Sequence, residues 1–372
     1  MNIQKIIEDL ESQMYHDLHA LKNQPYEVRS NKDIILYFLN KNENQYIIDY
    51  CADNLKEDRD IALLAVKNGS INLTRVHEKF SDDKEIILLA LEQNSYALCQ
   101  CSERLKNDKE VVLKALTNSD TSIEYISGRL KSDREIALLA LDSNGNNIQY
   151  LPVQLQNDKL FALKAVTNDG MVLKLLNESF QNDKEIVLTA LQNNGYALKD
   201  VVDSLKDDRQ IVLEAVKSKG LVLKDLDDIY KKDREVVSQA IKNESGSIEY
   251  MSPIFNNDKE LIMLSMQTPG SGKHLKYAST ILKDDRDLVM YAVNNNGLAL
   301  RFASERLRND KKVVITALKN NIKAVDKIGS QLMLEIGINN PIKYLESSIM
   351  LENLEIKCAN ITNKPTNNKI KL

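Results

Sequence analysis

Asp58, Asp83, Asp108, Asp133, Asp158, Asp183, Asp208, Asp233 and Asp258 stand 25 residues apart along the chain. Asp285 and Asp310 continue the ladder after one step of 27, and Asn31 takes the same place 27 residues before Asp58. Self-similarity at a fixed period of this length means a repeat architecture. Each unit is too small to bury its own apolar face and must lean on its neighbours to do so.

Counting from the ladder residue as position 0, the repeats share more than the aspartate. Position 1 is basic in all twelve, from Lys32 and Arg59 to Arg286 and Lys311. Position 2 is acidic in nine, the exceptions being Leu160, Gln210 and Lys312. Position 7 is Ala in ten, from Ala65 to Ala317, with Phe38 and Ser265 in the other two. A large apolar residue recurs at position 22, as in Phe80, Leu105, Leu130 and Leu307.

The stretch NDKEIVLTALQNNGYALKDVVDSLK, from Asn182, shows what this pattern dictates. Asp183 is placed to cap a helix by accepting the free N–H groups of the first turn. Glu185 suits the positive end of the helix dipole. Ile186, Val187, Ala190 and Leu191 form one apolar face, predicting a helix of about 11 residues. Gly195 is expected to end it as a left-handed C-cap. Leu198, Val201, Val202 and Leu205 are spaced for a second helical segment. However, Pro152 at position 19 and Pro253 at position 20 forbid one continuous helix in every repeat. A short helix with a turn or restart near position 19 is predicted. Small Ala at position 7 lets a neighbouring helix approach closely.

The expected fold is therefore all-α: an α-solenoid of about twelve 25-residue helix–turn–short-helix repeats stacked into a curved superhelix. At the roughly 8–10 Å spacing of packed helices, twelve repeats give an arc on the order of 100 Å. Residues 1–30 should form an N-terminal helical cap, with Ile3, Ile6, Ile7, Leu10, Met14, Leu18 and Leu21 on its apolar face. The repeats occupy 31–334, a C-terminal helical cap 335–360, and a flexible tail 361–372.

Composition agrees. With 43% hydrophobic and 28% charged residues, 12 Gly, 6 Pro and no Trp, the chain favours packed helix over disorder. Fifty Lys and Arg against 54 Asp and Glu give a net charge of -4, which argues against a general binder of phosphate backbones. The opening MNIQKIIEDLESQMYHDL has acids in its first turns, unlike a secretory signal. No apolar run approaches the roughly 18–20 residues a membrane span requires. Cys51, Cys99, Cys101 and Cys358 are too few and scattered for a disulfide framework, so a reducing cytosol is expected.

The segments RNDKKVVITAL (308–318) and NNGLALRFASERLRND (295–310) resemble the tandem helical repeats catalogued as domain of unknown function 4116. The family's pattern is D-[KR]-E-[VI]-V-L-x-A-V, then N-G-x-A-L-x-Y-A-S, then L-x-N-D. The resemblance extends over roughly 31–334. It implies the repeat fold and places the chain among proteins of intracellular bacteria and protists, some of them translocated effectors. It implies no agreed activity and brings no catalytic residues.

Several local features invite a chemical reading. QTPGSGKH (267–274) looks like the end of a phosphate-binding loop. Gln267 replaces the first Gly, however, and His274 replaces the Ser/Thr that binds Mg²⁺. The preceding LIMLSM belongs to a repeat helix, so a lengthened turn is the better reading. His16 and His19, with Glu11 and Asp17 near them, lack the further ligands a structural zinc needs. Cys99-Gln100-Cys101 is not a C-x-x-C, and Cys51 and Cys101 fall where Val76, Ile126 and Leu151 stand in other repeats, as small core residues. Asp207-Asp208 and Asp284-Asp285 are not followed by a calcium-loop pattern. No cofactor or metal is implied.

Two features remain. A cation at position 1 opposes the helix dipole, so ion pairs with acids at positions 0 or 2 of adjacent repeats are expected, setting register more than stability. At position 17, Tyr50, Tyr125, Tyr150, Tyr250, Tyr277 and Phe302 are aromatic, while Arg75, Gln100, Leu175, Asp200, Asp225 and Lys327 fill the intervening repeats. If the second segment is helical throughout, these rings point outward as a partner-binding stripe. If it restarts near position 19, they pack between repeats.

The function expected is a non-enzymatic, monomeric, cytoplasmic scaffold with an extended surface for a protein partner, in a host cytosol if the protein is a translocated effector. The rivals are a helical-repeat RNA binder and an enzyme with a site on the concave surface. Charge balance disfavours the first, and no nucleophile–base–orienter set supports the second.

Overall fold

The computed structural model describes residues 2–16, 20–41, 47–68, 78–118, 122–336 and 340–362. Every regular element among them is helical, and no strand occurs. The chain is an all-α repeat solenoid, and by its contacts it falls into two compact units, Met1–Asn193 and Asn194–Leu372.

The repeat starting at Asp133 shows the regular form. Asp133 caps the α-helix Arg134–Ser143. Asn144 is extended, with φ −155° and ψ 117°, and turns the chain into a 3-10 helix, Gly145–Tyr150. Leu151 is again extended. Pro152, at φ −59° and ψ 148°, then stands as the N-cap of a one-turn α-helix, Val153–Gln156. The expected restart near position 19 is thus present, and proline there interrupts neither helical segment. Pro152 nevertheless lacks the N–H that Ser127 and Ser304, at the same position, donate to the preceding repeat. Pro253 stands one position later, as the first residue of Pro253–Phe255, and Ser252 before it keeps that bond, to Lys231 C=O at 3.0 Å.

Within each unit the core lies between two layers, the first helices and the 3-10 segments. Ile136, Ala137, Ala140 and Leu141 of the first helix meet Ile148 and Leu151 of the second segment, all buried. Leu155, at position 22, closes the core from the short helix. The same positions are filled by Val236, Val237, Ala240, Ile241, Ile248 and Met251 in the second unit. Backbone bonds also cross from repeat to repeat: Ser127 N–H donates to Lys106 C=O at 3.1 Å and Ser304 N–H to Lys283 C=O at 2.8 Å.

The role expected for Gly195 is corrected. Among the described residues only Gly270 and Asn340 have positive φ. The first helix ends one residue earlier, at Asn193, and Gly195 opens the 3-10 segment with no left-handed turn. Glycine is required there by close approach: a Cβ would stand 2.2 Å from the Ala215 carbonyl oxygen of the next repeat. Gly145, Gly220, Gly272 and Gly297 meet Ala165, Ala240, Ala292 and Ala317 in the same way. Small Gly and small Ala are two halves of one contact.

At the N-terminus, Ile3–His16 lays Ile7, Leu10 and Met14 into one cluster with Leu21, Ile34 and Ile35. Leu18 lies outside the described residues. At the other end Pro341–Thr362 packs beside Lys311–Asn320, with Lys319 on Glu346 at 2.8 Å and Lys311 on Glu352 at 2.7 Å. The start of one helix meets the later part of the other, so the last helix runs antiparallel to its neighbour. Of the expected 361–372 tail, residues 361 and 362 are helical and the rest lie outside the described residues.

Candidate interaction surfaces

Ladder aspartates within each unit serve two helices at once. Asp133 Oδ1 accepts the N–H groups of Glu135 and Ile136 at 3.0 and 3.3 Å, capping its own helix. Its Oδ2 accepts Lys109 Nζ of the preceding repeat at 3.0 Å, and Lys109 also reaches Glu135 at 2.7 Å. In the second unit Arg209 Nε meets Asp233 Oδ2 at 2.6 Å while its Nη2 meets Glu235 at 2.7 Å. Arg234 repeats this on Asp258 and Glu260. The expected ion pairs between neighbouring repeats are therefore present, and the position-1 cation points to the next repeat rather than into its own helix end. The contact with Lys109 holds the Asp133 carboxyl below its usual range, and Arg209 does the same to Asp233.

A second ladder joins the far ends of the first helices. Asn243 Oδ1 accepts the Gly220 N–H at 2.7 Å and its Nδ2 donates to the Lys217 carbonyl at 2.9 Å. Asn193 does the same for Gly170 and Thr167. The signal was in the sequence as a recurring Asn at position 10: Asn68, Asn118, Asn168, Asn193, Asn243, Asn295 and Asn320.

The six aromatic candidates each end their helical segment, just before the buried residue at position 18. Tyr50, Tyr125, Tyr250, Tyr277 and Phe302 are half-buried, and Tyr150 is 36% exposed. Tyr125 packs edge-to-face on Tyr96 of the preceding repeat, with ring centroids 6.0 Å apart. Tyr96, at position 13, is the ring that sequence reasoning missed. Lys276 lies 4.5 Å from the Tyr277 ring and Arg301 5.1 Å from that of Phe302, so each is partly covered by its chain neighbour. Gln100 and Leu175 interrupt the series in the first unit, Asp200, Asp225 and Lys327 in the second, and Arg75 lies outside the described residues.

QTPGSGKH forms a lengthened turn. The helix Lys259–Ser265 has seven residues where its neighbour Arg234–Asn243 has ten. Gly270 takes φ 80°, and a 3-10 helix follows over Ser271–Tyr277. Lys273 is exposed. His274 is buried, with Nδ1 2.9 Å from the Ser265 carbonyl oxygen. It stands where Asn147 stands in its own repeat, whose Nδ2 donates to the Ala140 carbonyl at 2.9 Å. Burial lowers the His274 pKa, so the neutral ring donating from Nδ1 is the favoured form.

Cys51 and Cys101 are buried core thiols, and burial pushes their pKa values up to about 11 and about 12. The His16 and His19 side chains, Asp17, Val76 and the Cys358 side chain lie outside the described residues. Glu11 accepts from Tyr37 Oη at 2.7 Å and from Lys41. Among the described residues no group of three or more His, Cys, Asp or Glu side chains is arranged to hold a metal ion. No helix among them is long and apolar enough to cross a membrane.

No curated protein and no solved structure matches the chain significantly. A family model does, in ten stretches: 31–81, 83–131, 108–156, 133–181, 158–206, 183–231, 208–256, 233–283, 258–306 and 285–333. Each stretch covers about two consecutive repeats, and their starts follow the aspartate ladder. The chain therefore belongs to the family described as Domain of unknown function (DUF4116), carried here as a tandem array.

Proposed function

We propose that this chain is a non-catalytic repeat scaffold that binds a protein partner across the face formed by its 3-10 segments. The observation that carries the reading is the recurrence of accessible apolar side chains on that face in the first unit. Tyr96, Tyr150 and Leu175 are exposed and Tyr125 half-buried between its neighbours. A stiff stack that sets tyrosines at one-repeat spacing suits an extended partner, since Tyr brings a large contact area at low conformational cost.

Position-1 cations such as Lys109, Arg209 and Arg234 are already matched by carboxylates of the next repeat, which weighs against a nucleic-acid backbone as the ligand. The capping aspartates are engaged twice over, which weighs against their use as general acids or bases. Cys51, Cys99 and Cys101 are free thiols, in keeping with a reducing cytosol, that of a host cell if the protein is exported. We take the active form to be a monomer, which sedimentation velocity checks.

The test is an affinity pull-down with the full chain against its Tyr125→Ala/Tyr150→Ala double variant. Loss of a reproducible partner from the variant supports the aromatic face. Equal recovery from both removes that face from the account, and failure to recover any saturable partner removes the scaffold reading.

A further inference from the structure

The 3-10 segments Ser271–Tyr277, Gly297–Phe302 and Ile322–Lys327 come from three consecutive repeats of the second unit and pack side by side. Residues three apart in a 3-10 helix eclipse one another, so positions 13 and 16 share one face. Positions 14 and 15 between them turn into the core, as His274 and Leu275 do, and Ala299 and Leu300. With the two extra residues of the first of these repeats allowed for, the outward face carries Lys273 and Lys276, then Leu298 and Arg301, then Lys323 and Asp326. All four cations are exposed, and Leu298 is half-buried.

These cations differ from those that open the first helices of the same repeats. Lys259 is held by Asp285 at 2.6 Å and Arg286 by Asp310 at 3.0 Å. Lys273, Lys276, Arg301 and Lys323 form no ion pair among the described residues. Nor is such a cluster general to the fold. In the four repeats from Asp83 to Asp158, positions 13 and 16 hold one cation, Lys174, and one acid, Glu124. The row at position 16 also has two ends: Glu249 precedes Lys276 and Asp326 follows Arg301.

From this charge pattern we infer that the face docks an acidic peptide segment of the protein partner, with carboxylates two or three residues apart. In an extended chain that separation spans about 7–10 Å, roughly one repeat step, so Lys276 and Arg301 each meet one carboxylate. Lys273 and Lys323 add charge on either side, and Leu298 offers an apolar contact between them. A nucleic acid fits less well. Lys276 Nζ and Arg301 Cζ lie 4.5 and 5.1 Å from the ring centroids of Tyr277 and Phe302, so a face of each ring is already covered where a base would stack. A phosphate backbone running past the cluster would also meet Glu249 and Asp326, whereas a short acidic segment ends before them. The inference rests on the scaffold reading and gives the partner its chemistry at the second unit.

The probe is a short fluorescein-labelled peptide with Glu at every third position and Leu and Ser between. Its anisotropy is followed on the full chain in about 0.1 M salt, beside its Gln analogue and a single-stranded RNA of equal length. The Glu peptide should bind saturably, and the Gln peptide and the RNA about tenfold more weakly. Lys276→Glu/Arg301→Glu should weaken the Glu peptide about tenfold. Lys199→Glu/Lys224→Glu makes the same charge change at position 16 of repeats where Asp200 and Asp225 follow, and should weaken it about twofold or less. An unchanged melting temperature verifies folding, and Lys276→Gln/Arg301→Gln reads the same contact if reversal disturbs it. Equal losses from the two reversal pairs would reduce the effect to overall charge and overturn the site. RNA bound as tightly as the peptide overturns it in favour of nucleic acid, and a peptide that does not bind overturns it outright. The scaffold reading is decided separately, by partner recovery on the full chain and its Tyr125/Tyr150 variant.

Discussion

The Cα of Gly195 sits against the carbonyl of Ala215, one repeat on, so closely that a Cβ would stand 2.2 Å from the oxygen. The contact recurs at Gly145, Gly220, Gly272 and Gly297. Gly195→Ala should therefore destabilise the protein by about 1–3 kcal/mol, the cost of overpacking against backbone that cannot swing away. Gly246 is the control, because nothing lies within 4 Å of its Cβ position. Gly246→Ala should be neutral, or stabilising by up to about 1 kcal/mol through the unfolded chain. Urea unfolding of the two variants checks both.

Asn243 bridges two repeats by accepting from Gly220 N–H and donating to Lys217 C=O. Asn243→Ala removes both bonds and should cost about 1–2 kcal/mol. Asn243→Asp keeps the acceptor and loses the donor, so its midpoint in the same urea titration should fall between wild type and Ala.

Charge reversal of Arg134, Arg209 and Arg234 together should lower the melting temperature, and added salt should narrow the difference. Unchanged melting would remove the ion-pair ladder from any account of register. Acid acts on the same contacts. The pairs hold Asp133, Asp158 and Asp233 below the ordinary carboxyl value of 3.8. A depressed folded pKa contributes stability that is complete above 3.8 and lost as pH falls through the lowered folded value. Melting followed by circular dichroism from pH 6 downward should show the decline starting near pH 4.

His274 donates to the Ser265 carbonyl from a buried site, and burial lowers its pKa from 6.5. The unfolded chain therefore takes up the proton first. The stability contributed by neutral His274 is complete well above pH 6.5 and is lost as pH falls toward the lowered folded value. His274→Asn, by analogy with Asn147, should keep the bond to the carbonyl and flatten that part of the pH profile. His274→Ala should cost about 1–3 kcal/mol at pH 8, where the ring is neutral. Thermal melts at pH 8, 6 and 5 distinguish the three proteins.

The ladder from Asp58 to Asp310 made the period, the caps, the first helices and the inter-repeat ion pairs legible in the sequence, because each depends on residue type at fixed spacing. The 3-10 form of Gly195–Asp200 was not legible, since Leu198 would be buried three residues after Gly195 in either helix type. Gly195 itself was misread because Gly after a helix has two physical uses, a left-handed turn and close approach, and only the neighbouring repeat shows which applies. The aromatic positions were visible, but whether a ring at Tyr125 faces outward or leans on another depended on Tyr96, which falls at a different position of its repeat.

The two extra residues of the repeat after Asp258 enter at the turn ending the first helix, and the cross-links on either side keep their partners. Lys259 reaches Asp285 across 26 residues of chain, where Arg234 reaches Asp258 across 24. A chain built this way has a grammar of permitted edits. Whole repeats can be copied or deleted without changing any neighbour's partners, and small insertions survive at the bend between the two segments. A lone residue gained or lost inside a first helix would rotate its apolar side away from both neighbours at once, so variation in length is channelled into the bends, which absorb it without disturbing the stack.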